Sequence, residues 1–507
     1  MKKIERRDFL RTVALGALAS SCSSPLKFLS DTSSGSKEEG EANRSPAARA
    51  VVKIRHEASS REAKAHLVTY AKGVELMRSQ PKTVGGKPNG LNWEVQAEIH
   101  KSTCPHGTWN FFPWHREYLF RFESIIRELT GEAEFCLPYW DWTSNPNLPL
   151  AFKKAGSSLA LDDKSRTTDI SQQIKKVTGS EICEKIMKVT DFESFMGSAD
   201  SSGEMEYGPH NGVHVVLGSL GSPMGNFKSP LDPIFWLHHC NVDRLWAEWQ
   251  EKHKTWRDAL QIRSNFSGWM GQSLKGFFSV DGKKLSSFRS AQDMIDTFSL
   301  GYAYPSTARR VAMADSETLG RSPASESGWH YQLRAFTRDD IDAKVEWNRS
   351  MTQANIAFPG FKGNTDRYLD GCTVDPDHYQ NWVFRLRVLN FPKIERNTIM
   401  RLSFNVPGAQ ASKVFLANYC FFLPSADDDT GMGEHHAHHS SPYIPDFNFE
   451  FSKLLQELHA KGFTAYPDPT SFRLEFLSPT NLGPQPIGRY DFSGLKFKVS
   501  ILEKVSD

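Results

Sequence analysis

The stretch Asp232-Pro-Ile-Phe-Trp-Leu-His-His-Cys-Asn-Val-Asp243 constrains this chain more than any other. Asp232 can cap a helix through its carboxylate, and Pro233 suits the first helical position, where no N–H is needed. The pattern predicts a helix carrying His239 two turns in. Asp243, four residues on, shares its face and is the expected acceptor for the free ring N–H of a metal-bound His239. Just upstream, Gly208-Pro-His210-Asn-Gly-Val-His214 holds two more histidines four apart, on one face of any helix formed there. A single histidine on a helix is ordinarily a core or surface residue. Three in two such segments, with no Cys or carboxylate among the ligands, read as half of an all-imidazole site suited to Cu, Zn, Fe or Ni.

A second cluster lies earlier, in Glu98-Ile-His100-Lys-Ser-Thr-Cys104-Pro-His106-Gly-Thr-Trp-Asn-Phe-Phe-Pro113-Trp-His115-Arg. Pro113 and the following Tyr118-Leu-Phe pattern predict a helix that starts just before His115. On one continuous helix, His106 and His115 would face opposite ways. His106 is therefore expected from a loop, and His100 from the end of an earlier segment. His66 falls in a helix predicted from Val51 to about Arg78, with Ala65, Val68 and Val74 on its inner face, and reads as structural.

At 507 residues the chain exceeds a single core, so two or more domains are expected. Residues 1–24 resemble an export signal: Arg6-Arg7-Asp8-Phe9-Leu10-Arg11 has the twin-arginine look and precedes a short apolar run. This predicts a periplasmic or extracellular protein. Cys22 after Leu18-Ala-Ser-Ser is an imperfect lipoprotein processing site, which leaves a lipid anchor open. Residues 25–50 read as a disordered linker. Residues 51–305 form the first domain, mainly α, with further helices expected over 166–197 and Ser286–Phe298. A Ser/Ala/Arg/Gly/Pro-rich linker follows over 306–329. From 330 to 507, short β-rich runs separated by turn clusters predict a β-sandwich. Within it, Gly433-Glu-His-His-Ala-His-His439 is either an ordinary polar loop or a tract that binds metal transiently. The balance of 61 basic against 59 acidic residues argues against a nucleic-acid or membrane-surface partner. No later segment is long and apolar enough to span a bilayer. The seven cysteines lack the paired spacing of a disulfide framework.

With both clusters in view, residues 90–305 resemble the tyrosinase and catechol oxidase (polyphenol oxidase) family, whose fold and dicopper site are shared by molluscan haemocyanins. The match rests on His106 and His115 in Phe-Pro-Trp-His-Arg, on His210-x-x-x-His214, and on Asp232-Pro-x-Phe-x-x-x-His239-x-x-x-Asp243. The resemblance implies two copper ions, one held by His100, His106 and His115 and the other by His210, His214 and His239, with O2 as co-substrate. His238 would support the second triad. Cys104 matches a Cys-x-His that in several members carries a thioether to the histidine ring, here His106. Glu206 and Asn211 match the acidic and amide positions proposed to hold the water that deprotonates a phenol. Tyr302-Ala-Tyr304 resembles the motif that closes the catalytic domain. The implied activity is ortho-hydroxylation of monophenols and oxidation of o-diphenols to o-quinones, with small phenols and catechols as partners.

The C-terminal part resembles the extension of latent polyphenol oxidases, in which a side chain plugs the copper pocket until proteolysis. Phe421, Phe422, Tyr443, Phe447, Phe449 and Phe451 are the candidates, and the domain would be the chain's own inhibitor. The loop Gly218–Ser229, with Met224 and Phe227, is expected at the pocket mouth. Catechol oxidation alone and reversible O2 carriage are the alternatives within the family look. A zinc hydrolase is a poorer fit, because such sites commonly mix carboxylate with histidine. Copper storage leaves the two capped clusters unexplained.

Overall fold

A computed structural model describes residues 52–161, 166, 169–253, 268–308, 329–342, 344–357, 382–394, 397–405, 413–422, 443–450, 452, 471–488 and 490–506. The export signal, the 25–50 linker, most of the 306–329 linker, Phe451 and the His435–His439 tract lie outside the described residues. The first part is helical: α1 Ala63–Ser79, α2 Trp93–Thr103, α3 Phe111–Thr130, α4 Ser171–Thr178, α5 Ser180–Ile186, α6 Phe192–Met196, α7 Asn211–Leu217 and α8 Ile234–Lys252. Short strands punctuate it, namely β1 Lys53–Ile54, the hairpin β2 Thr83–Val84 with β3 Lys87–Pro88, the hairpin β4 Gly197–Ser198 with β5 Ser201–Ser202, and β6 Tyr302–Ala303. Among the described residues no helix is long and apolar enough to cross a membrane.

Local chemistry starts and stops the helices that matter. Asn92 Oδ1 accepts from the N–H groups of Glu94 and Val95 at 3.0 and 3.2 Å and so opens α2. Gly131, at φ 75°, closes α3 in the left-handed conformation that glycine adopts without strain. Asp232 opens α8 as expected: its Oδ1 accepts from Ile234 N–H at 3.2 Å. The same carboxylate pairs with the buried Arg166 guanidinium and accepts from Ser222 Oγ–H at 3.2 Å.

Two helical expectations need correction, and the helix expected to start at Val51 begins only at Ala63, after strand β1. The inner face of α1 is Ala63, Tyr70, Val74 and Met77, while Ala65 and Val68 face outward and Val68 is 72% exposed. The bulky Tyr70, whose hydroxyl donates to the Pro233 carbonyl at 2.7 Å, decides the rotation of the helix. Ser286–Phe298 is turns around one short 3-10 stretch, Gln292–Met294. There Asp293 accepts from Ser290 N–H at 2.7 Å and Asp296 from Phe298 N–H at 3.1 Å, local bonds that compete with a helix.

Asp243 anchors the whole helical part. Its Oδ2 accepts from the hydroxyls of Tyr302 and Tyr304 at 2.7 and 2.5 Å and from Arg55 Nη1–H at 3.1 Å. Its Oδ1 accepts from Arg116 Nε–H at 2.5 Å. Burial would raise its pKa, but Arg116 and Arg55 outweigh that and hold the carboxyl below its ordinary value. The cluster ties β1, α3, α8 and the Tyr302-x-Tyr304 segment together, and β1 pairs in parallel with β6 in register Lys53↔Tyr302. Asp243 is thus committed to the arginines and tyrosines, and the expectation that it accepts from the His239 ring is corrected. Asp243→Ala would leave two buried guanidinium groups without their shared counter-charge. It is expected to lower stability by about 3–5 kcal/mol, read by urea unfolding; a loss under about 1 kcal/mol would contradict this anchoring role.

The second part is β: β7 Trp329–Asp342, β8 Lys344–Trp347, β9 Gln353–Ala357, β10 Trp382–Leu389, β11 Ile399–Asn405, β12 Lys413–Cys420, β13 Asp446–Glu450, β14 Ser471–Leu477 and β15 Lys496–Ser506. They form two sheets, ordered β4-β5-β13-β10-β15-β7 and β12-β11-β14-β9-β8. Leu386, Val388, Phe447 and Phe497 of the first pack with Ile356, Met400, Phe404 and Phe472 of the second in one apolar cluster. That is the sandwich expected from the alternating runs. The helical part lends it a hairpin, because β5 pairs in parallel with β13 in register Asp446↔Ser201 and Phe447↔Ser202. Conversely, Ile399, Phe415, Cys420 and Phe422 of the β part join the core of the helical part.

Candidate metal centre

Each expected ligand arrives on its own element. His100 lies in the last turn of α2, His106 in the loop before α3, and His115 in the second turn of α3. His210 ends a π-helical turn, Glu206–His210, that runs directly into α7, where His214 sits. His239 lies in the second turn of α8. His100, Cys104, His106 and His115 bring one potential ligand atom each to within 4.8 Å of one another, and so do His210, His214, His238 and His239. The two groups adjoin: the His115 and His239 rings stack with centroids 4.1 Å apart, and those of His106 and His210 are 5.8 Å apart. His66 stands elsewhere, packed on Phe135 with its Nδ1 3.4 Å from Cys136 N.

Backbone carbonyls set the rings. The Nδ1 atoms of His100, His115 and His214 lie 2.7, 2.8 and 2.9 Å from the carbonyl oxygens of Phe227, Phe111 and Met224. His210 Nδ1 lies 2.9 Å from Asn211 Oδ1. A neutral imidazole that donates from Nδ1 keeps its lone pair on Nε2, so these contacts choose the tautomer that presents Nε2 to a metal. Phe227 and Met224 belong to the 218–229 loop, which therefore orients two rings by its main chain. Phe227 also stacks on His106 at 4.9 Å. Sequence reading missed these carbonyls, because every residue has one and no side-chain pattern marks it.

His238 differs. Its Nδ1 accepts from Trp142 Nε1–H at 3.1 Å, so the neutral ring carries its proton on Nε2 and offers no lone pair there. It stacks on His210 at 5.3 Å and supports that ring, as the sequence suggested.

The residues fit a metal. His210 Nε2 is buried without a hydrogen-bond partner among the described residues. His214 Nε2 and His239 Nε2 face each other at 3.4 Å. Buried ring nitrogens left so are costly unless something electrophilic lies between them. Burial, helped by the neighbouring rings, pushes His106, His115, His210, His214 and His239 well below the usual imidazole range. All five are neutral and ligand-competent near pH 7.

Around this centre, Cys104 Sγ lies 3.5 Å from His115 Nε2 and 3.8 Å from His106 Nε2, and burial raises its thiol pKa well above the ordinary value. Glu206 Oε1 accepts from Gly107 N–H at 2.7 Å, while Oε2 is buried with no partner among the described residues. Burial pushes this carboxyl up to about 8, against the Gly107 N–H and Ser202 hydroxyl, which lower it. Asn211 is engaged at both ends of its amide, its Oδ1 with His210 and one Nδ2–H donating to the Cys420 carbonyl at 3.2 Å.

The aromatic candidates of the β part separate cleanly. Phe422 stacks on His214 with centroids 4.2 Å apart and planes at 23°, and lies 5.6 Å from His106 and 5.3 Å from Phe227. Phe421, Phe447 and Phe449 face the sandwich core instead, and Tyr443 bridges to Pro392.

Comparison with known proteins agrees with this geometry. The common central domain of tyrosinase matches over residues 89–182 and 151–252, which hold all six expected ligands. Polyphenol oxidase B of Solanum lycopersicum is 28% identical over 52% of this chain and 52% of its own length. A tyrosinase of Hahella sp. is 30% identical over 44% of this chain and 53% of its own. The chain thus spans about half the length of these curated relatives. Among solved structures, latent apple tyrosinase aligns with TM-score 0.55 at 18% identity, over 91% of this chain and 98% of its own. A functional unit of octopus haemocyanin aligns with TM-score 0.50 at 14% identity, over 89% and 99%. At these identities the two structures establish a shared fold of helical core and β domain.

Proposed function

We propose, for a chain that belongs to the tyrosinase and polyphenol oxidase family of type-3 copper proteins, an O2-dependent oxidase that hydroxylates monophenols ortho to their OH and converts o-diphenols to o-quinones. The observation that carries this reading is the pair of adjoining, buried, all-imidazole triads. His100, His106 and His115 would hold one copper and His210, His214 and His239 the other. Bound copper supplies the O2 activation and the electron transfer. The protein supplies neutral ligands in a fixed tautomer, a dry aromatic cavity, and a seat for the substrate ring. Phe422 on His214 indicates that seat, since a phenol stacked there would bring its oxygen to the second triad.

A phenol has pKa near ~10, so hydroxylation needs a proton acceptor at the site. Glu206 Oε2, buried without a partner among the described residues on a carboxylate anchored to the Gly107 N–H next to His106, is the atom we assign to hold that proton or the water that takes it. Glu206→Gln is expected to lower monophenol oxidation by about 10²-fold and catechol oxidation by less than about threefold. Parallel assays on a matched phenol and catechol read this, and equal losses would remove the assignment. The engagement of Asn211 favours a second reading, catechol oxidation alone, because one of its two amide N–H groups is held by the Cys420 carbonyl and its Oδ1 by His210, which leaves a single donor for a water. Steady quinone formation from a catechol would separate either oxidase from a reversible O2 carrier.

Latency belongs to the same proposal. The end of β12 brings both Phe422 over His214 and the Cys420 carbonyl onto Asn211, so one segment covers the site and holds its amide. We also propose export by the twin-arginine route, on the Arg6-Arg7 pattern. Translocation of a reporter fused to residues 1–50, lost when Arg6 and Arg7 become lysine, is the expected outcome.

A further inference from the structure

A second cleft, of about 640 Å3, lies away from the histidines, where α4 and α5 meet the five-stranded sheet. Lys176 and Lys185 reach it from the helices and Arg401 and Lys413 from the strands. Two carboxylates answer these four cations. Glu475 is already shared by Lys413 at 2.9 Å and Arg473 at 3.3 Å, and Glu181 is exposed on α5. Neither Lys176 nor Arg401 makes an ion pair among the described residues. Arg401 lies 4.5 Å over the Phe415 ring, and Lys185 Nζ stands 5.4 Å from the same ring while donating to the Phe415 carbonyl at 3.1 Å. Burial holds the Arg401 and Lys176 pKa values below their ordinary positions, and in Lys176 the Arg401 charge adds to the effect. Positive charge is therefore concentrated, partly dried and under-neutralised, beside a wall that includes Phe415, Leu477 and Leu482.

We infer that this cleft binds a small amphiphilic organic anion, with a carboxylate, sulfate or sulfonate head between Arg401 and Lys176 and an apolar body against Phe415 and Leu477. The volume suits a ligand of that kind. Two oxygens of such a head match the two parallel N–H groups of a guanidinium fork, and the ring beneath Arg401 keeps that fork oriented. The walls come from the helices on one side and the sheet on the other, so an occupant ties the two parts together.

The test uses the full chain and 2-naphthalenesulfonate, titrated by calorimetry at low and high salt. One saturable site is expected, weakening as salt rises. Arg401→Gln and Lys176→Gln should each weaken it about tenfold, and Phe422→Gly should leave it unchanged, since the cleft is not the copper pocket. Inorganic sulfate should bind more weakly than the naphthalenesulfonate. Absence of saturable binding, affinity indifferent to both charge-removing variants, or loss on Phe422→Gly would overturn the site. Equal affinity for sulfate would overturn the apolar half of the assignment. None of these readouts depends on phenol oxidation, so the cleft and the oxidase reading fail separately.

Discussion

Replacing His214 with alanine is expected to abolish phenol oxidation and to halve the copper bound per chain while the rest of the molecule stays folded. His214 is fully buried, and its Nε2 meets His239 Nε2 at 3.4 Å. Partners that merely orient a ligand are worth about 10–100-fold in metal affinity, so losing the ligand itself should cost more than about 10²-fold. The substitution also leaves the buried Met224 carbonyl without its ring partner, a stability loss of about 1–3 kcal/mol that urea unfolding would register. His238→Ala is the matched control, being as buried and in the same group but turned the other way by Trp142. It should retain both copper ions. Full copper in His214→Ala, or the same deficit in His238→Ala, would show that the wrong rings have been assigned.

Phe422→Gly is expected to raise catechol oxidation by the uncleaved chain roughly 10- to 100-fold. Burying a phenylalanine side chain contributes about 1.5–3 kcal/mol, and each 1.4 kcal/mol is a factor of about ten in the fraction of chains with the site uncovered. The ring is 6% exposed and lies against His214, Phe227 and His106, so its removal opens the space in front of the second triad. Cleavage in the 306–329 segment, followed by release of the β part, should give a rise at least as large, because it also frees the Asn211 amide from the Cys420 carbonyl. Release has structural costs: β5 loses its partner β13, close to Glu206, and the helical core loses Ile399, Phe415, Cys420 and Phe422. Activity unchanged by both Phe422→Gly and cleavage would reject latency. A rise in neither phenol nor catechol turnover, with copper intact, would point to the β part as a stabilising domain.

The convergence of the candidate ligands was legible because a cluster written in histidines needs a residue type that is uncommon, at spacings set by helix geometry. His210 and His214 share a face by period alone, His115 follows from Pro113, and His106 had to come from a loop because a continuous helix would turn it away. Asp232 as the start of α8 followed from capping chemistry, and the sandwich from alternation of apolar and polar residues. The failures have a common cause. The inner face of α1 was misjudged because its apolar residues are sparse and Tyr70 outweighs the smaller side chains. Ser286–Phe298 failed because aspartate side chains there bond locally. Asp243 was given to His239 on shared-face grounds, whereas Arg55, Arg116, Tyr302 and Tyr304 claim it from elements up to 188 positions away.

Identity, spacing and local capping are properties of neighbouring residues, and from them the sequence alone picked out the six candidate imidazoles, the helical and β parts, and the family resemblance. Which ring nitrogen faces the centre, which carboxylate is spoken for, which phenylalanine covers His214 and where uncancelled positive charge gathers were decided only on folding. Each depends on a backbone carbonyl or a distant charge brought into contact by packing. Such groups are common to all residues or remote along the chain, so no local pattern records them.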